Sequence, residues 1–383
     1  MPNPTVKGPS AEGDLHALFK IANLVSPHKH MRWMADPHRL ILVSVTGSRA
    51  YGTFRPDSDY DYKGVCVPPH EYRMGFLHHF EQLEIKDPID CTIFDTIKFI
   101  QMAANCNPNI LDVLFAHEDD LVVCTPPGKM LRDARQDFLS KKASASFRGY
   151  AMSQIQRIRR HRRWLLDPPT HLPERVEFGL PEVAPIPKDQ LNAAISRITK
   201  KLDSWEVDFG RMDDAEKIYV KEQIHNHLSE LEIADDEKFA SAGRLMGYEE
   251  NFLVMLGQEK KWRQAVADWK SYQDWKEHRN PARAALEAKF GYDCKHAMHL
   301  IRLMTMCREV LTEGLVLVRR PDAPFLKSVL NGELAFDYIE GWAEDQDKEL
   351  IEVGRNSPLP RIPNFEKLDD LCQAVIWAVE NSV

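Results

Sequence analysis

Apolar residues recur along this chain in two rhythms. In the first third they form short β-branched or alternating runs. Arg39 to Val45 (RLILVSV) is one such run and predicts a buried strand that ends at Gly47. The stretch DYDYKGVCVPP predicts a second strand, stopped by Pro68 and Pro69, and Ile89 to Phe94 (IDCTIF) a third. Helices lie between and around them. AEGDLHALFKIANL reads as a helix, Asp95 is placed to cap TIKFIQMAANC, and Asn107-Pro108 opens NPNILDVLF with asparagine as cap and proline at the first helical position. Beyond Pro127 the period becomes helical almost throughout, as in YAMSQIQRIRRHRRWLL and KKWRQAVADWKSYQDW, with proline clusters at 168–169 and 183–187. Asp167 to Pro187 reads as a loop, and about 188–280 as a helical insertion. No internal repeat is visible. The predicted organisation is α+β: a mixed domain over 1–125 with a small sheet flanked by helices, then a larger, mostly helical domain over 126–383.

Composition narrows the class. The chain has 383 residues, 43% of them hydrophobic, enough for a large core. No run approaches the ~20 apolar residues of a membrane helix. The N-terminus MPNPTVKGPSAEGD lacks the basic-then-apolar order of a signal peptide, so the expected location is cytoplasmic, with no membrane partner. Seven cysteines without a C-x-x-C pair signal neither a zinc site nor a disulfide framework. A net charge of −8 argues against indiscriminate nucleic-acid binding and leaves the question to local charge.

The stretch VTGSRAYGTFRPDSDYD, residues 45–61, carries the chemistry. A strand that ends in Gly47-Ser48 exposes backbone N–H groups and a hydroxyl, with no side chain at Gly47 to block a phosphate. Asp59 and Asp61 are two apart in the predicted second strand, so both carboxylates fall on one face. They repel unless a cation lies between them, and Mg²⁺ held by carboxylates and substrate phosphates fits that spacing. A third carboxylate on a neighbouring strand would complete a two-metal site. Asp90 is the best placed; Glu84 and Asp87 are rivals if that strand starts earlier. Arg49 either reaches a triphosphate or forms a surface ion pair.

Gly47-Ser48, ten residues, then Asp59-x-Asp61 resembles the signature of the DNA polymerase β-like nucleotidyltransferase superfamily. GSRAYGT...SDYDYKGV resembles in particular its branch associated with RNA repair ligases and common in bacteriophages. IDCTIFDTIKFI, NPNILDVLF, GYDCKHAMHLIRLM and GLVLVRRPD extend the resemblance over roughly 38–166 and 290–345. It implies transfer of a nucleoside monophosphate from an NTP to a hydroxyl, on an RNA or tRNA end, with loss of pyrophosphate. It further implies two Mg²⁺ or Mn²⁺ ions on Asp59, Asp61 and Asp90, and phosphates on Gly47 and Ser48. The alternatives are nucleotidylation of a protein or small molecule, or nucleotide binding without catalysis.

Two basic elements remain. RIRRHRRW sets Arg157, Arg159, Arg160 and Arg163 beside His161 and Trp164. This is either a solvated helix face backed by Ile155 and Ile158, or a phosphate grip with an aromatic for stacking on a base. Trp262 and Trp269, seven apart, read as core rather than a stacking platform. On the predicted helix Asp293 to Leu311, Lys295, His299 and Arg302 share a narrow face opposite Ala297, Leu300, Ile301 and Met304. The stripe is either a charged surface or, as the resemblance implies, the cationic wall facing an incoming triphosphate.

Overall fold

The structure, a computed structural model, describes Trp33, Asp36 and residues 38–56, 58–86, 90–204, 235–279 and 281–381. The helix expected over AEGDLHALFKIANL lies outside the described residues, as does Asp87. The first elements are β1 (Leu40–Thr46), α1 (Gly47–Tyr51), β2 (Asp61–Cys66), α2 (His70–Met74), β3 (Gln82–Ile85) and β4 (Asp90–Asp95). They are followed by α3 (Thr96–Ala104), α4 (Pro108–Leu114) and β5 (Leu121–Cys124). The five strands form one mixed sheet in the order β3-β4-β2-β1-β5. β1 is antiparallel to β2 and β5, and β3 to β4, whereas β2 and β4 run parallel.

Local sequence accounts for these elements. The Asp95 carboxylate accepts from the backbone N–H groups of Ile97 and Lys98 and starts α3. Asn107 Oδ1 accepts from Asn109 N at 3.0 Å, with Pro108 at the first position of α4. Alternation along the strands sorts the two faces. Val43, Cys66, Cys91 and Ile93 bury one face with Tyr72 and Phe80, and Trp33 and Tyr62 pack against them. Asp61, Lys63, Asp90 and Thr92 point to the other. The second strand is shorter than the sequence predicted. It begins at Asp61 because Thr46↔Asp61 is the last pair before β1 turns into α1, so Asp59 and Tyr60 have no strand to pair with.

Downstream lie α5 (Pro126–Asp133), α6 (Lys142–Leu166), α7 (Lys188–Ser204), α8 (Asp235–Leu245), α9 (Glu250–His278), α10 (Pro281–Phe290) and α11 (Cys294–Glu313). The chain closes with α12 (Ala323–Leu330), α13 (Phe336–Asn356) and α14 (Phe365–Glu380). The chain gathers into two compact units, Met1–Ile158 with Cys294–Val383, and Arg159–Asp293. The C-terminal helices join the sheet unit through specific contacts. Arg320 N donates to Tyr51 O at 3.2 Å, Arg73 pairs with Glu380, and Lys367 reaches Asp137. In the second unit α7, α8 and α9 pack around Leu191, Ile198, Phe239, Leu253 and Leu256. There Trp262, half-buried, donates to Pro173 O at 3.0 Å, and Trp269 is half-buried as well. Among the described residues no helix is long and apolar enough to cross a membrane.

Candidate active site

The site forms where β1 ends. Gly47 adopts φ +69°, a conformation that L side chains rarely take, and a Cβ there would collide with the Asp61 carboxylate. Glycine is thus required both by the backbone and by the acid beside it. Ser48 follows, half-buried, in the first turn of α1. Asp61 is paired in register with Asp90 on the adjacent parallel strand, and Asp59 precedes it in the loop. Neighbouring strands lie about 4.8 Å apart, so the two paired carboxylates emerge side by side on one face. Glu84 is on β3, opposite Thr92 and one strand further from Asp61, where it accepts from Gln82.

Like charge marks the convergence. Burial raises the Asp61 pKa above the usual carboxylate range, Asp90 and Asp59 push it the same way, and Lys295 and Lys63 pull it down. The sequence reading missed Lys63, although it continues the period of two from Asp61. Burial lowers its pKa and the Arg302 charge adds to that, against the pull of Asp112, Asp61 and Asp90. Its ammonium donates to Asn109 Oδ1 at 3.4 Å.

Arg49 does not stand ready for a triphosphate. Its guanidinium donates to Ser58 O at 2.5 and 3.1 Å and to Asp59 O at 3.2 Å, and lies 3.7 Å over the Tyr60 ring. It therefore fixes the loop that carries Asp59. Arg49→Lys keeps the charge and loses the fork, so we expect a roughly tenfold or greater fall in turnover, the cost of about 1.4 kcal/mol of misplacement, with a smaller change in the KM for nucleotide. Steady-state kinetics over a range of NTP concentrations checks the split.

The basic stripe of α11 divides. Lys295 is exposed and lies close enough to Asp61 to act on its proton affinity, and His299 is half-buried. Arg302 is a correction to the sequence reading. It is only 4% exposed, its Nη1 is 3.7 Å from Asp112 Oδ2, and its guanidinium lies 3.9 Å over the Tyr51 ring. Tyr51 OH donates to the same Asp112 oxygen at 2.6 Å, and burial pushes its proton affinity well up. The reason is packing: α11 is buried on nearly every side, so its polar face meets α1 and α4.

The α6 arginines also separate. Arg157, Arg159, Arg160 and Arg163 are all exposed, and Arg163 pairs with Asp268 at 2.5 Å. Trp164 is 3% exposed and packs against Tyr272 and Trp275, so it is core and not a stacking surface for a base.

Residues 22–167 match the family described as the RNA repair pathway DNA polymerase beta family. That stretch holds the whole sheet, Gly47-Ser48 and the three aspartates, and the match supports a polymerase β-like nucleotidyltransferase branch. Over 325 residues the chain is 24% identical to an uncharacterized 38.9 kDa protein from the nrdC-mobD intergenic region of Enterobacteria phage T4, a span covering 80% of this chain and 87% of that protein. No solved structure matches.

Proposed function

We propose that this protein transfers a nucleoside monophosphate from an NTP to a hydroxyl on an RNA or tRNA end, releasing pyrophosphate. One observation carries the reading: Asp61 and Asp90 stand in register on adjacent strands, directly beside the Gly47-Ser48 turn. The donor set fits a divalent cation, since Asp61 and Asp90 present their carboxylates side by side next to the Gly47-Ser48 turn, and hard oxygen ligands are what Mg²⁺ or Mn²⁺ takes. Asp59, Asp61 and Asp90 would hold two such ions, which when bound neutralise phosphate charge and make the acceptor hydroxyl more acidic.

The chain's own groups do the rest. Gly47 lets the backbone approach the β- and γ-phosphates, and the Ser48 hydroxyl donates to them. Asp90, the exposed member of the pair, is placed to take the acceptor's proton. Lys295 and His299 face the phosphates from α11. Arg157, Arg159 and Arg160 offer exposed charge to the acceptor backbone.

Lys295→Ala is expected to raise the NTP concentration needed for half-maximal rate about tenfold while changing the saturated rate less, because the lost contact acts on the bound ground state. A fall in the saturated rate alone would remove Lys295 from nucleotide binding. The function itself is tested by incubating the chain with each labelled NTP, Mg²⁺ or Mn²⁺, and RNA, DNA and protein acceptors in parallel. Label on RNA ends is the expected result. Label on protein would move the acceptor assignment, and no label with any acceptor would overturn the reading.

A further inference from the structure

Most described arginines near this sheet answer to a carboxylate. Arg148 answers to Asp347, Arg308 to Glu349 and Arg320 to Glu309. Beside the active site, Arg49, Arg55 and Lys327 have uncharged partners among the described residues. Arg49 holds the carbonyls of Ser58 and Asp59, Arg55 donates to Asn331 Oδ1 at 3.2 Å, and Lys327 lies 5.4 Å from the centre of the Phe54 ring. They form one patch. The Arg49 guanidinium is 5.3 Å from Phe54 and 3.7 Å from Tyr60, and these two rings are 43% and 39% exposed.

Gathered cations that pair with no carboxylate among the described residues repel one another, and a chain of net charge −8 has acids enough to pair them. An external polyanion relieves that repulsion, and exposed aromatic rings among the cations add faces on which bases stack. The shape of the ligand follows from the strand end. Tyr60 stacks on Tyr62, whose side chain packs with the core face of the sheet, so the patch lies around the strand end from Asp61 and Asp90. A ligand that touches both the patch and the aspartates has to pass round that end. A chain of nucleotides has the length to do so, with one unit on the patch and its end at Asp59, the aspartate whose carbonyl Arg49 holds.

We infer that Arg55, Lys327, Phe54 and Tyr60 form a docking surface for single-stranded polynucleotide, which feeds its end toward Asp59. The surface deepens the nucleotidyltransferase reading and rests on it only for the direction of the end. The test is fluorescence anisotropy of a short fluorescein-labelled oligouridylate with the full chain, in chelator and without NTP, at several salt concentrations. Arg55→Gln with Lys327→Gln should weaken binding tenfold or more at low salt. It should also flatten the slope of log affinity against log salt by about 1.4, since two phosphate contacts to a single strand are lost. Phe54→Leu should weaken binding and leave the slope unchanged. An oligodeoxynucleotide of the same length binding through the same residues supports the surface equally.

Three results of this RNA-binding assay would overturn it: no binding by the wild-type chain, wild-type affinity in the double variant with its fold intact by circular dichroism, or displacement of the RNA by polyglutamate as readily as by unlabelled RNA. A fluorescent ATP analogue with Mn²⁺ should bind the double variant as it binds the wild type; equal weakening there would assign the patch to the triphosphate and also overturn the proposal. RNA binding through these residues in a chain that transfers no nucleotide would support the surface while refuting the active-site reading.

Discussion

Asp61→Asn is expected to lower nucleotidyl transfer by roughly a hundredfold to a thousandfold, the scale on which loss of one preorganised charged or polar group acts in an active site. The substitution keeps the shape of the side chain and its place opposite Asp90, so the sheet should survive. It removes one of two acids that the register forces together. The Mn²⁺ affinity of the chain, measured by electron paramagnetic resonance without nucleotide, should fall with the rate. Gly47→Ala should reproduce the loss with every carboxylate retained in the sequence, because the new Cβ meets the Asp61 carboxylate and the backbone at φ +69° resists a side chain. Full Mn²⁺ binding and full activity in both variants would show that the Asp61–Asp90 pair is structural.

The elements of this site differ in how far the sequence revealed them, and the difference tracks distance along the chain. The caps of α3 and α4 were legible because Asp95 and Asn107 bond to N–H groups two or three residues away. The Gly47-Ser48 turn was legible because it is written in adjacent residues, and Asp61 because it lies inside the predicted strand. The strand edge was not: Asp59 drops out of β2 because β1 has already turned into α1, a fact about the partner strand. Asp90 became the neighbour of Asp61 only through parallel pairing across the intervening α2 and β3, which no local pattern specifies. Lys63 could have been found by carrying the same alternation two residues further. Arg302 could not, since placing a basic stripe toward solvent assumes a free side, and α11 has almost none.

Asp112 gave one signal that went unread: it is the lone acid in the apolar helix NPNILDVL and is 1% exposed. Its carboxylate is where α4, α1 and α11 meet, through Tyr51 OH and Arg302. Arg302→Met should therefore destabilise the chain by about 3–5 kcal/mol, the range for removing one partner of a buried ion pair. Lys63 limits the loss, because its ammonium also acts on this acid. Asp112→Leu should cost a similar amount by stranding the Arg302 charge. The double variant should be less damaged than the sum of the two, since both charges leave together. Urea unfolding followed by circular dichroism measures all four chains. Additive losses would mean that Asp112 and Arg302 do not interact, despite their 3.7 Å separation. A further consequence separates this pair from ordinary packing. Tyr51 ends α1, the helix that begins at Gly47 and Ser48, so loosening Asp112 frees the Gly47-Ser48 turn from its far end. In folded Arg302→Met protein, the KM for NTP should then rise, even though Arg302 never reaches the triphosphate.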